Sequence, residues 1–267
     1  DIPAAIESFN SALEMDTENA SIYYNIGVTL EISGDSQSAI ENYKRAIKIK
    51  PNFVDAYNNL GLAFTQIGKM AQGIDNYKSA LKLKPNFYQV YWNLYNTACS
   101  LEEAKKWIDV CLEKNPNDKQ AMLTSVVLKA YANKNNDLSL LEKEGFKEHS
   151  LARSIKWVLN LPNLPKLFFH RWAFFDYIIK KSNVERPFYE FGVWRGAAFK
   201  YFIKTFKKGF GFDTFSGLPE TWHHEEQGRY NSFGSVPKID GGEFIVGKFA
   251  DTLPNFFFHQ KRIGFYN

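Results

Sequence analysis

Residue types able to do chemistry are concentrated between positions 187 and 220 of this chain. Pro187-Phe188-Tyr189-Glu190-Phe191-Gly192-Val193 is a short apolar run of the kind that forms a buried parallel strand, and it carries one acid. Trp194-Arg195-Gly196 reads as a turn. Ala197 to Phe206 then has helical periodicity, with Phe199, Phe202 and Phe206 on one side. Gly209-Phe210-Gly211-Phe212-Asp213-Thr214-Phe215 reads as a second strand ending in an acid. The expected unit is βαβ, and open α/β sheets bind ligands beyond the carboxyl ends of their strands. Gly192 and Gly196 lack a Cβ, so a ligand can approach the turn backbone closely. Asp213 follows Gly192 by 21 residues, where an acid can accept hydrogen bonds from both ribose hydroxyls of an adenosine cofactor. The glycine spacing is not G-x-G-x-x-G, so a nicotinamide-dependent oxidoreductase is a poor fit.

Upstream, the chain is periodic. An offset of 34 superposes Tyr23, Tyr57 and Tyr91, and likewise Ile26, Leu60 and Leu94. It also brings Gly27 onto Gly61, Tyr43 onto Tyr77, Ala46 onto Ala80 and Pro51 onto Pro85. Ala5, Phe9 and Ala12 match Ala39, Tyr43 and Ala46, so residues 1–19 read as the second helix of a preceding unit. The third unit loses three residues at its turn and continues with Ala104, Ile108, Cys111 and Pro116. Small residues belong where two helices cross closely, Gly34 and Gly68 turn the chain, and Pro51 and Pro85 end each second helix. Residues 1–117 thus resemble the tetratricopeptide repeat family, with a further, poorly matching helical pair to about residue 145. The resemblance implies an α solenoid whose concave face binds an extended peptide or partner protein. It implies that Tyr24, Val28, Asn58, Leu62, Gln89 and Trp92 line that face. The other reading is an array that packs only against its own downstream domain.

Residues 146–186 read as a helical connection to a domain spanning 187–267. Within the connection, Leu167 to Tyr177 reads as an aromatic helix that either caps the sheet near its ligand or packs as plain core. His170 reads as structural. His223-His224-Glu225-Glu226 lacks a third ligand at metal-binding spacing and reads as a solvated loop, where Trp222 and Tyr230 are candidates to stack on a sugar. Gly241-Gly242 reads as a turn before a strand Glu243–Val246.

The composition is that of a globular protein with many aromatics, at 16%. The net charge of +4 is spread thinly: 13 basic against 15 acidic residues over 1–132, and 20 against 14 over 133–267. A nucleic-acid partner, which needs a concentrated basic stripe, is not expected. Nor is a membrane, since no apolar run approaches about 18 residues. Cys99 and Cys111 read as small buried hydrophobes rather than a disulfide, which suits a reducing cytoplasm.

Three strings in the second domain carry a further resemblance. They are Glu190 to Gly196, Gly211-Phe212-Asp213-Thr214-Phe215-Ser216-Gly217-Leu218-Pro219-Glu220, and Gly247-Lys248-Phe249-Ala250-Asp251-Thr252-Leu253-Pro254. In this order they resemble the macrocin O-methyltransferase family, class I S-adenosylmethionine-dependent enzymes that methylate hydroxyls on sugars of natural products. The resemblance implies a Rossmann-like α/β methyltransferase domain, here only partial. It implies that Glu190, Gly192 and Gly196 line the methionine end of the cofactor and that Asp213 holds the ribose, with Trp194 and Thr214 completing the set. Gly247 to Asp251 is similar to a Gly-x-x-x-Asp segment that catechol-type O-methyltransferases carry near the adenine, which places Phe249 and Ala250 beside the ring. In that family the catalytic base and the ligands of a divalent metal such as Mg2+ come from later segments, expected beyond residue 267. Ile263 to Asn267 reads as the start of a fourth strand, so the sequence reads as a fragment of a longer reading frame with no metal site of its own. The leading expectation is therefore a methyltransferase acting on a saccharide or related hydroxyl acceptor, with repeats that recruit a protein. The alternative is a non-enzymatic repeat scaffold with a degenerate α/β domain.

Overall fold

The computed structural model describes residues 2–133, 137–219, 227–228, 231–232 and 234–261, without the side chains of residues 133 and 259–261. Contacts divide the chain into two compact units, Asp1–Phe174 and Phe175–Asn267.

The first unit is a stack of helical hairpins. Its helices are α1 (Ile2–Met15), α2 (Ala20–Ser33), α3 (Ser36–Ile49), α4 (Val54–Gln66), α5 (Met70–Leu83), α6 (Tyr88–Tyr95), α7 (Leu101–Lys114), α8 (Lys119–Asn133) and α9 (Ser150–Leu159). The caps set these boundaries. The Asn19 side chain accepts from the N–H groups of Ser21 and Ile22 at the start of α2, Asp35 accepts from Ser38 N–H, and Ser100 accepts from Glu103 N–H. At Gly34 (φ 76°) and Gly68 (φ 81°) the chain turns through the left-handed region that glycine tolerates.

The periodic small residues do what their spacing predicts. A Cβ on Gly27 would lie 2.5 Å from the Tyr43 ring, and one on Gly61 would lie 2.6 Å from the Tyr77 ring. The α2–α3 and α4–α5 hairpins therefore each close with an aromatic ring seated directly on a helix backbone, and Ala39, Ala46, Ala63 and Ala80 are fully buried beside these crossings. The third unit is shortened in its first helix: α6 has 8 residues where α2 has 14. Packing passes from each hairpin to the next, through Ile40, Tyr43, Leu60 and Phe64, and then through Tyr77, Val90 and Leu94. Cys111 is buried as expected, whereas Cys99 is exposed at the α6–α7 turn, and both thiols are free.

Two features differ from expectation. Leu123, Val126, Leu141, Ala152 and Ile155 form one buried cluster, so α9 closes on α8 and belongs with the repeat unit, although the sequence places it in the connection. The aromatic segment is not helical from Leu167: α10 spans Arg171–Lys181. The reason is local, since His170 Nδ1 accepts from Ala173 N–H and caps the helix there. The boundary between the two units falls within α10, after Phe174.

The second unit holds β1 (Phe188–Phe191), α11 (Ala197–Phe206), β2 (Gly209–Asp213), β3 (Gly242–Val246) and α12 (Phe249–Lys261). The strands form a parallel sheet in the order β1-β2-β3, with Glu190 opposite Gly211 and Asp213 opposite Val246. Phe188 packs on Phe199, Phe202 and Phe206 of α11, while its neighbour Tyr189 meets Phe256 and Phe257 of α12. Because successive strand residues point to opposite faces, α11 and α12 cover opposite faces of the sheet. Gly242 is the first residue of β3 and not part of the turn; the Phe199 ring occupies the space a Cβ would need. The loop candidates Trp222, His223, His224, Glu225, Glu226 and Tyr230, and the segment Ile263–Asn267, lie outside the described residues.

Candidate functional sites

On the repeat unit, the predicted groove residues lie on α2, α4 and α6. A row of amide hydrogen bonds joins these helices. Asn93 Nδ2 donates to Asn58 Oδ1 (2.8 Å), Asn58 Nδ2 to Asn59 Oδ1 (3.1 Å), and Asn59 Nδ2 to the Tyr24 hydroxyl (3.1 Å). Val28 is half-buried beside this row, and Leu62 and Gln89 are exposed. Trp92 is drawn inward: its indole N–H donates to the Tyr88 hydroxyl (2.8 Å) and to Asp118 (3.1 Å), and its ring packs edge-on against Tyr95. The Tyr88 hydroxyl itself donates to Asp118. Asn59 and Asn93, which complete the row, were missed by sequence reasoning, although their 34-residue spacing, with Asn25 before them, was there to find.

In the second unit the eight predicted cofactor residues fall around the carboxyl ends of β1 and β2 and at the start of α12, but they do not share one cavity. Glu190 lines a cleft with Phe175, Asn183, Arg186 and Phe202. Its Oε2 is buried with no hydrogen-bond partner among the described residues, and burial, with a further push from Asp213, raises its carboxyl from 4.5 to about 7. Gly192 has φ 82° and open space where a Cβ would stand. Gly196 (φ 72°) is covered instead, with Ile239 and Pro237 side-chain atoms 3.1 and 3.3 Å from where its Cβ would be. Its glycine serves the turn and the packing of the loop before β3, not an open approach.

Asp213 holds the two turns together. Its Oδ2 accepts from Trp194 N–H (2.7 Å) and its Oδ1 from Phe215 N–H (2.8 Å), and both of those residues have positive φ. A second cleft of about 580 Å³ opens beyond β2 and β3, lined by Thr214, Ser216, Leu218, Gly247 and Lys248. Thr214 spends its hydroxyl on the Gly217 carbonyl (2.8 Å). Phe249 and Ala250 stand exposed just after this cleft, and the Phe249 ring meets Phe191 edge-on. Ser216 and Lys248 were not predicted; both sit one to three residues past a strand end, which is the signal that points to them. Among the described residues no group of three or more His, Cys, Asp or Glu is placed to hold a metal ion, and no helix is long and apolar enough to cross a membrane.

With this geometry in place, comparison with known proteins gives the following. Residues 32–68 match the family described as TPR repeat, and residues 54–87 match the tetratricopeptide repeat family. The chain thus contains tetratricopeptide repeats, in a helical, solenoid-like unit. No curated protein sequence matches it. Among solved structures, it is similar to MamA at 29% identity, covering 43% of this chain and 69% of that one with a TM-score of 0.40. It is similar to YrrB, a TPR protein with an unusual peptide-binding site, at 21% identity, 58% and 84% coverage and a TM-score of 0.49. It is also similar to the first TPR of Spaghetti (RPAP3), bound to an HSP90 peptide, at 22% identity, 44% and 95% coverage and a TM-score of 0.41.

Proposed function

We propose that this protein is a repeat-based interaction protein, in which the face formed by α2, α4 and α6 holds an extended segment of a partner. The observation that carries this reading is the continuous amide row from Asn93 through Asn58 and Asn59 to Tyr24. Each member is fixed by its neighbour, so the polar groups that remain toward solvent are presented at one helix spacing without needing to be ordered by the ligand. Leu62 and Val28 add apolar contact beside them. Panning the chain against a random peptide library tests it. Enriched peptides should lose most of their affinity to an Asn58→Ala/Leu62→Ala variant, and binding that is untouched by both changes removes the reading.

A second reading concerns the α/β unit, and two observations favour it: the orphaned carboxyl oxygen of Glu190 and the open space over Gly192. Both suit the ammonium end of S-adenosylmethionine, with Asp213 holding the Trp194 and Phe215 turns in place and the cleft at Thr214 and Lys248 receiving the adenosine end. When bound, that cofactor supplies a sulfonium methyl, here for a hydroxyl on a saccharide or related acceptor. Glu190 would neutralise the ammonium, and Gly192 would let the ligand reach the backbone. Calorimetry with S-adenosylhomocysteine is the test: binding weakened roughly tenfold or more by Glu190→Gln, the worth of a charge-assisted hydrogen bond, supports it, and no heat with the unaltered chain excludes it.

A further inference from the structure

The stretch between α9 and α10 is not a loose connection. Tyr131 of α8 donates its hydroxyl to the Pro165 carbonyl (2.9 Å). Leu167 and Phe169, alternate residues of the stretch, pack into the cluster of Ala98, Ala104, Ile108 and Leu128, and the Phe169 ring meets Tyr95 of α6 edge-on at 6.0 Å. Arg171 then donates through Nη2 to the Gln66 carbonyl (2.7 Å), and Trp172 donates through Nε1 to the Thr65 carbonyl (2.8 Å). The Trp172 ring lies over Gly68, 3.4 Å from where a Cβ would stand, and Trp172 is 7% exposed. Residues 165–172 therefore cross the carboxyl-terminal parts of α8, α6 and α4 in turn.

The chemistry of the contact is specific. The last carbonyls of a helix have no partner within it and carry partial negative charge, so a guanidinium and an indole N–H are the donors they favour. The glycine at position 68 is needed for the turn, at φ 81°, and the Trp172 ring lies over it at ordinary contact distance. Shifted by 34 residues, Thr65, Gln66 and Gly68 correspond to Glu31, Ile32 and Gly34, and Ile32 is 66% exposed, so the rim extends one repeat beyond the segment that covers it.

We propose that the rim formed by the carboxyl-terminal ends of the inner helices is a peptide-docking surface distinct from the amide row, and that residues 165–172 occupy it in cis. Its partner is a segment that is extended through an apolar-x-aromatic pair and, one residue on, presents Arg-Trp at the start of a helical turn, and it competes with the resident strap.

The test is fluorescence anisotropy with a labelled peptide of sequence Asn163–Ala173 and a control peptide in which its Arg and Trp are Ala. A tethered strap competes at high effective concentration, so the unaltered chain should bind the peptide roughly tenfold or more weakly than an Arg171→Ala/Trp172→Ala variant, and the control peptide should bind neither. Phe169→Ser provides a second, milder release. Equal weak binding by all three chains, or a control peptide that binds as well, overturns the proposal. So does loss of helical circular dichroism in both variants, which would make the strap part of the core. Light scattering on the same samples should show monomers; dimers that grow with concentration would mean the strap exchanges between copies, and would overturn the proposal of a separate partner.

Discussion

Glu190 and Asp213 carry the same functional group and are put to different uses by their surroundings. Asp213 accepts two backbone N–H bonds at about 2.7–2.8 Å and acts as a staple between the turns after β1 and β2. Glu190 lies beside it with a buried oxygen that none of the described residues satisfies, and its carboxyl is raised to about 7. The two roles give two predictions. Between pH 4.5 and about 7 the unfolded chain releases the Glu190 proton while the folded chain keeps it. The unfolded state then binds fewer protons, so stability falls as pH rises through that window and levels off above it. Urea melts from pH 4 to 8 should show that slope, and Glu190→Gln should flatten it and raise the midpoint above pH 7; identical profiles would mean that Glu190 ionises freely. Asp213→Ala leaves two turn N–H groups without their acceptor and should cost roughly 1–3 kcal/mol of stability, mostly at the part-buried Phe215 N–H because the exposed Trp194 N–H can turn to water, whether or not a ligand is present. A binding loss in that variant would therefore say little about ribose recognition, and Glu190→Gln, which preserves shape, is the better probe.

At the scale of elements, the hairpin crossings set the geometry. An alanine at position 61 would gain about 1 kcal/mol of helix propensity. It would also drive its Cβ to 2.6 Å from the Tyr77 ring and 3.0 Å from the Gly73 carbonyl oxygen. Overpacking of that kind costs about 1–3 kcal/mol, so Gly61→Ala should lower the melting temperature, and Tyr77→Leu in the same chain should restore part of the loss by withdrawing the ring. A Gly61→Ala chain at least as stable as its parent would show that α4 and α5 separate freely. This crossing was legible in the sequence because both partners recur at one period: Gly27 with Tyr43, Gly61 with Tyr77, 16 residues apart. The strap was not legible for the opposite reason. Arg171 and Trp172 meet residues 105 and 107 positions earlier, through backbone carbonyls whose positions side-chain patterns do not encode. Gly196 was misjudged in the same way, since the side chains that close over it, Pro237 and Ile239, arrive from the loop before β3. Strand and helix types in the second unit were readable from Phe periodicity, and α11 begins and ends where that periodicity predicts.

Across the whole repeat unit, contacts run mostly between consecutive helices; the amide row reaches across every second helix, and the strap reaches farther still. An array of this kind stores its stability as nearest-neighbour interfaces, so damage at one end should stay there. Ile40 tests this, because it is 1% exposed and sits in the cluster shared by α3 and α4. Ile40→Ala should cost about 2–5 kcal/mol through lost contacts and a residual cavity. Native-state hydrogen exchange would then show faster opening of amides in residues 20–66, while amides of α7, α8 and α9 keep their parent rates, since their interfaces at Ile108, Leu123 and Ile155 are untouched. The strap adds a condition: it ties α4 to α8, so releasing it through Arg171→Ala/Trp172→Ala should make the response to Ile40→Ala more confined still. Uniform acceleration from α2 to α9 in both backgrounds would mean that the unit unfolds in one step, and that its helices are coupled by more than their neighbours.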